Sequence, residues 1–319
     1  MKTHSIDFVA IIKKAFHFVL KYKYLWLFGL LAGGSGAGFN NSGYTMSGTD
    51  MEKLKDLNPL KNSGDVSLQN IGSVGGKIMG VESGTNIATW IVLAVVILAL
   101  VILCIYLSVT ARGAIVLSVD KIDSGQDLNC WQAWRGGYKY FWKIFLLSII
   151  FGLIIFIPIL VLGGIIAGLA FLKLTVTAIV LGLLFLLIFI IFVVYLSLII
   201  PYSERILIIE NISLTESVLG GVKFFNKNWK NAVLMYLILA ALNIGASIAL
   251  AIGLGTVIIV LVLIGLLFYA INIVLVWIYG VLAGLLIIAL LLTATGMIQS
   301  YYSTTITLTY REIKKLNTI

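Results

Sequence analysis

Three arginines stand at corresponding places where long apolar runs end. Arg112 follows Thr110-Ala111, Arg205 closes Pro201-Tyr202-Ser203-Glu204-Arg205, and Arg311 lies in Leu308-Thr309-Tyr310-Arg311-Glu312. A guanidinium donates to a phosphate through two parallel N–H groups, so Arg112, Arg205 and Arg311, with Glu204 and Glu312 beside them, are candidates for holding lipid headgroups. The plainer reading is that they only keep positive charge on the inner side of a membrane.

Other reactive groups are sparse. His4 and His17 are the only histidines, and Cys104 and Cys130 the only cysteines, with no CxxC spacing. Cys104 sits in an apolar run and Cys130 in a polar segment, so a disulfide between them is not expected. Asp120, Asp123 and Asp127 could surround a cation, but their spacing matches no calcium loop and fits a solvated segment better. These residues predict no catalytic site, no metal and no cofactor.

Asn243, Asn272 and Gln299, with threonines near Thr293 and Thr304, are polar groups inside uncharged runs. They would line a cavity if the protein were a permease, or else join helices by hydrogen bonds. Buried carboxylates of an ion-coupled transporter are missing, since the apolar runs are interrupted by no charge except Lys173. Pro158 removes one backbone donor within a run and could kink it. Ala241, Gly245, Ala249 and Gly253 form a ridge of small residues suited to close helix packing, within the chain or across a dimer seam.

The elements that position these residues follow from composition. The 319 residues are 61% hydrophobic and only 11% charged, against about 25% charged in soluble domains, so lipid must be the solvent. The net charge of +9 flanks apolar runs rather than clustering on a soluble surface, which excludes a nucleic-acid partner and points to membrane lipids.

Residues 1–23 carry five lysines opposite an apolar stripe of Phe8, Ile11, Ile12, Ala15, Phe16 and Val19, which predicts an interfacial amphipathic helix. A first span over 24–38 follows, completed by snorkelling of Lys21 and Lys23, with cleavage near Ala37 as a signal peptide the alternative. Residues 39–86 form an exported polar loop too poor in large apolar residues to build a core. The second span covers 87–110, a cytoplasmic segment 111–143, the third and fourth spans 144–203, and a second cytoplasmic segment 204–230. From 231 to 310 there is no Asp, Glu, Lys or Arg, and residues 311–319 form a tail.

An uncharged run of that length would extend about 120 Å as one helix, against roughly 30 Å of hydrocarbon, so it must fold back. Assigning the termini and the two middle polar segments to the inside places 17 of 22 Lys and Arg there, which demands an even number of crossings. Two give six spans in all; four would give eight. A threefold repeat favours six, because Lys21-Tyr22-Lys23-Tyr24-Leu25-Trp26, Tyr138 to Lys143 and Phe224 to Lys230 each mix lysine with aromatics where the chain meets the membrane. The expected fold is all-α: a polytopic transmembrane helix bundle of about six spans, arranged as three hairpins each preceded by an interfacial amphipathic helix.

The run from Glu204 through Asn211, Ser213 to Val218 and Phe224 to Trp229, with Tyr24 to Leu31 and Thr307 to Glu312, resembles the membrane domain of bacterial glycerophosphoryl diester phosphodiesterases and related uncharacterised six-span inner-membrane proteins. The resemblance covers most of the chain outside the exported loop. In that family the phosphodiesterase chemistry belongs to a separate soluble barrel with histidine and carboxylates on a metal, for which this chain has no room. It implies a membrane module without the enzyme, in a bacterial cytoplasmic membrane; the charge bias puts both termini on the cytoplasmic side. Lipids and possible partner membrane proteins are the expected ligands of a non-enzymatic module; the alternative is a permease or exporter of a small molecule or lipid.

Overall fold

A computed structural model describes residues 6–33, 87–172, 174–271 and 273–318. They form eight helices and no strand: α1 (Phe8–Lys21), α2 (Tyr24–Gly33), α3 (Ile87–Asp123), α4 (Cys130–Lys139), α5 (Phe141–Phe171), α6 (Thr175–Ile209), α7 (Leu214–Ile271) and α8 (Ile273–Thr318). Helices α3, α5, α6, α7 and α8 are long and apolar enough to cross a membrane. The loop 39–86, Lys173 and Asn272 lie outside the described residues.

Contacts divide the chain into two units, Met1–Ala37 with Cys104–Ile319, and Gly38–Leu103. In the second, the first part of α3 is apolar, and its side chains from Trp90 onward are exposed.

Asp7 caps α1, its carboxylate accepting from the Ala10 amide at 3.0 Å. Ile11, Ala15 and Val19, each one turn apart, are buried, and α1 lies against α8. Phe16, expected on the same apolar face, is instead half exposed, its ring edge-on to Tyr301 at 6.4 Å. The buried stripe is one residue wide, which leaves Phe16 on its flank.

After the break at Tyr22 and Lys23, the Trp26 indole donates to the Val19 carbonyl at 2.7 Å and fixes the angle into α2. The ten residues of α2 extend only about 15 Å, half a hydrocarbon layer, so the described part of the expected first span does not cross. Its packing on α8 depends on glycine. A methyl at Gly29 would meet the Gly296 carbonyl and Ser300, one at Gly296 would meet the Trp26 carbonyl, and the Ser300 hydroxyl donates to the Leu25 carbonyl. Only a missing side chain on both helices lets the backbones come this close.

Helix α5 ends at Phe171 and α6 begins at Thr175, and α5 remains helical through Pro158. The uncharged run 231–310 is carried by α7 and α8, antiparallel neighbours on which the Tyr279 hydroxyl donates to the Leu261 carbonyl at 2.8 Å. Within α7, Asn228 has non-helical backbone angles (φ −121, ψ 23), and its side-chain amide donates to the Phe224 carbonyl at 3.0 Å. This break separates a short surface segment from the long apolar one, close to the boundary that the sequence puts at residue 230. Helix α6 ends through Asn211, whose φ of 51 is left-handed, a conformation asparagine adopts more readily than most residues. Its side-chain oxygen accepts from Lys143 at 2.9 Å.

The core sits at one end. Buried side chains gather over 108–122 of α3, 196–208 of α6, 225–239 of α7 and 296–313 of α8, joined by α1, α2, α4 and the start of α5. Farther along α5 to α8 large apolar side chains such as Ile157, Leu187, Ile259 and Leu285 are exposed, as expected for surfaces meeting lipid.

Candidate functional site

At that packed end α3, α6 and α8 are linked in a ring. Arg112 of α3 faces Glu204 of α6 at 3.6 Å. Arg205, next along α6, donates through Nη2 to the Ser303 hydroxyl of α8 at 3.0 Å. Arg311 of α8 returns to α3, with Nη1 2.8 Å from Asp120 Oδ1 and Nε 2.8 Å from Asp123 Oδ2. Asp123 also takes Lys14, which fastens α1 to the ring.

Burial makes these links matter. The Arg205 side chain is 4% exposed and lies 3.4 Å from Glu204, itself 11% exposed. Its Nη1 also donates to the Pro201 carbonyl at 2.8 Å, an oxygen in the preceding turn of α6. Such a cation in a low-dielectric setting is tolerable only when paired and hydrogen-bonded, and removing one partner of a buried pair typically costs about 3–5 kcal/mol. Arg311 additionally donates to the Asp120 carbonyl and to the Ser124 hydroxyl, the latter at 3.0 Å, and so satisfies the last turn of α3.

A second link joins α6 and α8 beyond the ring. Glu210 accepts from Lys314 at 2.8 Å and from the Tyr310 hydroxyl. Burial on its own would push the Glu210 carboxyl up, but those two hydrogen bonds and the Lys314 charge outweigh it and hold the group below the usual carboxylate value. Glu312, grouped with the arginines in the sequence, pairs with Lys315 at 3.3 Å.

The structure therefore brings Arg112 and Arg205 together on one carboxylate and places Arg311 on another pair, with protein oxygens meeting all three. Asp120 and Asp123 are turned onto Arg311, and among the described residues no three His, Cys, Asp or Glu side chains are grouped to hold a metal. Asn243 is half-buried on α7, and Gln299 is half-buried on α8 near Gly33. Two recesses open at the packed end, of about 220 and 260 Å³, the first lined by Glu210, Phe224, Tyr310 and Lys314 among others, the second by Asp120, Ile209, Tyr310, Arg311, Lys314 and Lys315. Neither is lined by Asn243 or Gln299. The open ridge on α7 also lacks the intramolecular contact that its spacing suggests, since a methyl at Gly245 or Gly253 would meet nothing within 4 Å.

The acidic partners of Arg311 were not legible as a site. Helical spacing puts Asp120 and Asp123 beyond Arg112 on α3, but which helix end they face is set by tertiary packing. The only sequence hint was the recurrence of mixed charges just past each apolar run.

Helices long and apolar enough to cross a membrane, packed and ion-paired at one end, define a helical membrane protein. Residues 20–309 match the family model of a family of unknown function, DUF7544, and the chain belongs to that family. No curated protein and no solved structure matches it.

Proposed function

We propose that the protein is a non-enzymatic, multi-pass membrane module whose packed end rests on anionic lipid headgroups at the cytoplasmic face of a bacterial inner membrane. The carrying observation is where positive charge is exposed. The arginines of the ring are engaged by protein oxygens, whereas Lys139, Lys223, Lys227 and Lys230 are exposed beside Trp142, Trp229 and Tyr138, whose exposures are 68%, 53% and 54%. Lys230 lies over the Trp229 ring at 5.9 Å, and Lys143 over Tyr140 at 6.0 Å. Amphipathic rings and amines are most stable together at the membrane–water boundary. On this reading the headgroup role considered for Arg112, Arg205 and Arg311 passes to the lysines, and the arginines hold the helices that present them.

Helix length supports the placement. From Thr175 to Arg205 on α6, and from Ile273 to Ser303 on α8, the rise is about 45 Å, comparable with the roughly 40–45 Å of a bilayer including headgroups. Hydrogen-bonded to one another, Arg205 and Ser303 then lie at the headgroup boundary rather than in hydrocarbon. Six spans in three hairpins, with both termini inside, complete this reading, and the likeness to the phosphodiesterase membrane domain belongs to it as architecture alone.

The test is lipid co-purification. Lys139→Gln/Lys223→Gln/Lys227→Gln/Lys230→Gln should carry a clearly smaller anionic fraction than the unaltered protein at equal yield. An unchanged fraction, or hydrolysis of a lipid headgroup by the purified protein, would sink the proposal.

A further inference from the structure

Helix α1 has three faces where an ordinary surface helix has two. One is the line of Ile11, Ala15 and Val19, buried where α1 lies against α8. Val9, Phe16 and Leu20 are apolar as well, yet 59%, 50% and 42% exposed. At about 100° per residue these three fall within about 40° of one another and about 120° from the buried line. Ala10, Lys14, His17 and Lys21, all exposed, occupy the remaining third, with Lys13 between them and the exposed apolar strip.

A helix on a soluble surface needs one buried and one polar face. The exposed strip of α1 calls for a third environment. Both exposed faces run the length of the helix, from Val9 to Leu20 on one and from Ala10 to Lys21 on the other. A boundary between lipid and water then follows the helix axis, which requires the axis to lie in the membrane plane. An upright helix changes polarity along its axis instead, as α8 does where its apolar stretch gives way to Arg311, Lys314 and Lys315.

The place of α1 in the fold agrees. At the packed end each helix of the ring carries one outer helix. Helix α4 rests on α3, where a methyl at Gly137 would meet the Thr110 carbonyl and the Ala114 amide, and the start of α7 rests on α6, where one at Gly221 would meet Ser203. Helix α1, first in the chain, takes the third place, on the last helix, α8. The first two outer helices bring Lys139, Lys223 and Lys227 to the surface, and α1 brings Lys13 and Lys21. Phe16 meets Tyr301, two residues before Ser303 and so close to the headgroup boundary.

Charge and area choose the occupant of the strip. Helix α1 contains no Asp or Glu, and Lys14 pairs with Asp123, so the exposed lysines beside the strip complement an anionic lipid surface. Three side chains on a 14-residue helix offer far less than the roughly 800 Å² that each partner gives to a stable protein interface, which disfavours a second copy of the chain.

We propose that α1 lies in the membrane plane as a wedge between α8, hydrocarbon and water, with Val9, Phe16 and Leu20 inserted at the acyl boundary of the cytoplasmic leaflet and Lys13 and Lys21 at its anionic headgroups. The inference rests on the reading that the packed end meets headgroups, and adds a surface which that reading does not use.

The test uses the full chain with Cys104→Ser and Cys130→Ser, carrying one new cysteine at a time, in nanodiscs of phosphatidylcholine and phosphatidylglycerol. A nitroxide on each cysteine reads access to oxygen, which concentrates in hydrocarbon, and to a water-soluble nickel chelate. Val9→Cys, Phe16→Cys and Leu20→Cys should show an oxygen-to-nickel ratio about threefold or more above that of Ala10→Cys and Lys21→Cys. Equal ratios on the two faces overturn the proposal. So does a ratio that changes steadily from Leu20→Cys to Val9→Cys whatever the face, the mark of an upright helix. If Phe16→Cys disturbs the contact with Tyr301, Val9→Cys and Leu20→Cys decide. Trp142→Cys at the start of α5 separates this inference from the reading beneath it. A lipid signal there with water at all three α1 sites overturns the wedge alone, and water there as well overturns both.

Discussion

Arg311 of α8 closes onto Asp120 of α3, its Nη1 reaching both the carboxylate, at 2.8 Å, and the backbone carbonyl. One side chain thereby neutralises a half-buried acid, ends a 37-residue helix and completes the ring begun by Arg112 and Glu204. Asp120→Asn should remove the charge pairing while keeping the shape, and lower stability by about 1.5–3 kcal/mol, the usual range for hydrogen bonds to charged groups. Arg311→Gln should cost more, because Asp123 then loses a partner as well. Thermal unfolding in detergent, with both single variants and the double variant, separates the shared part.

Glycine contact between α2 and α8 makes a second prediction. Gly296→Leu should push α2 off α8, because the Trp26 carbonyl occupies the position of the new side chain. Overpacking of this kind costs about 1–3 kcal/mol. A cysteine pair at Leu25 and Ser300 should cross-link readily when Gly296 is kept and poorly in this variant. Gly245→Leu, on an open surface, should change stability little. If the two leucine variants behave alike, the close-packing account is wrong.

Acid should loosen the link between α6 and α8. Glu210 titrates below its ordinary value of 4.5, so its contribution is fully present above that value and is lost as the pH falls through the lower folded value. The thermal midpoint should hold between about pH 5 and 7 and fall below about pH 4. Glu210→Gln should lower the neutral midpoint and flatten the acid limb. An unchanged acid limb in that variant would assign the effect to other carboxylates.

Much of the architecture was legible because lipid imposes a simple rule: uncharged helical runs of sufficient length face hydrocarbon. The break at Asn228 lies close to Lys230, and α5 ends at Phe171 shortly before Lys173, the charges that bound the uncharged runs. The partnering of the arginines was not legible, since Arg112, Arg205 and Arg311 look equivalent in sequence while the structure gives them Glu204, Ser303 and the Asp120–Asp123 pair. Helical periodicity predicts which face a side chain shares, not which helix lies opposite. The same gap explains Phe16, which periodicity puts on the apolar face of α1 and packing leaves at its edge, and the ridge at Gly245, which meets nothing within the chain.

The most direct test of the central claim, that the packed end lies at the inner face with the apolar helices crossing to the other side, is cysteine labelling on intact cells. Both native cysteines are free. In a Cys104→Ser background, Cys130 marks the packed end; Leu172→Cys, with Cys130 also replaced, marks the turn between α5 and α6. A membrane-impermeant maleimide should label Leu172→Cys on intact cells and Cys130 only after the membrane is opened. Labelling of Cys130 on intact cells, or protection of Leu172→Cys until lysis, would contradict the account.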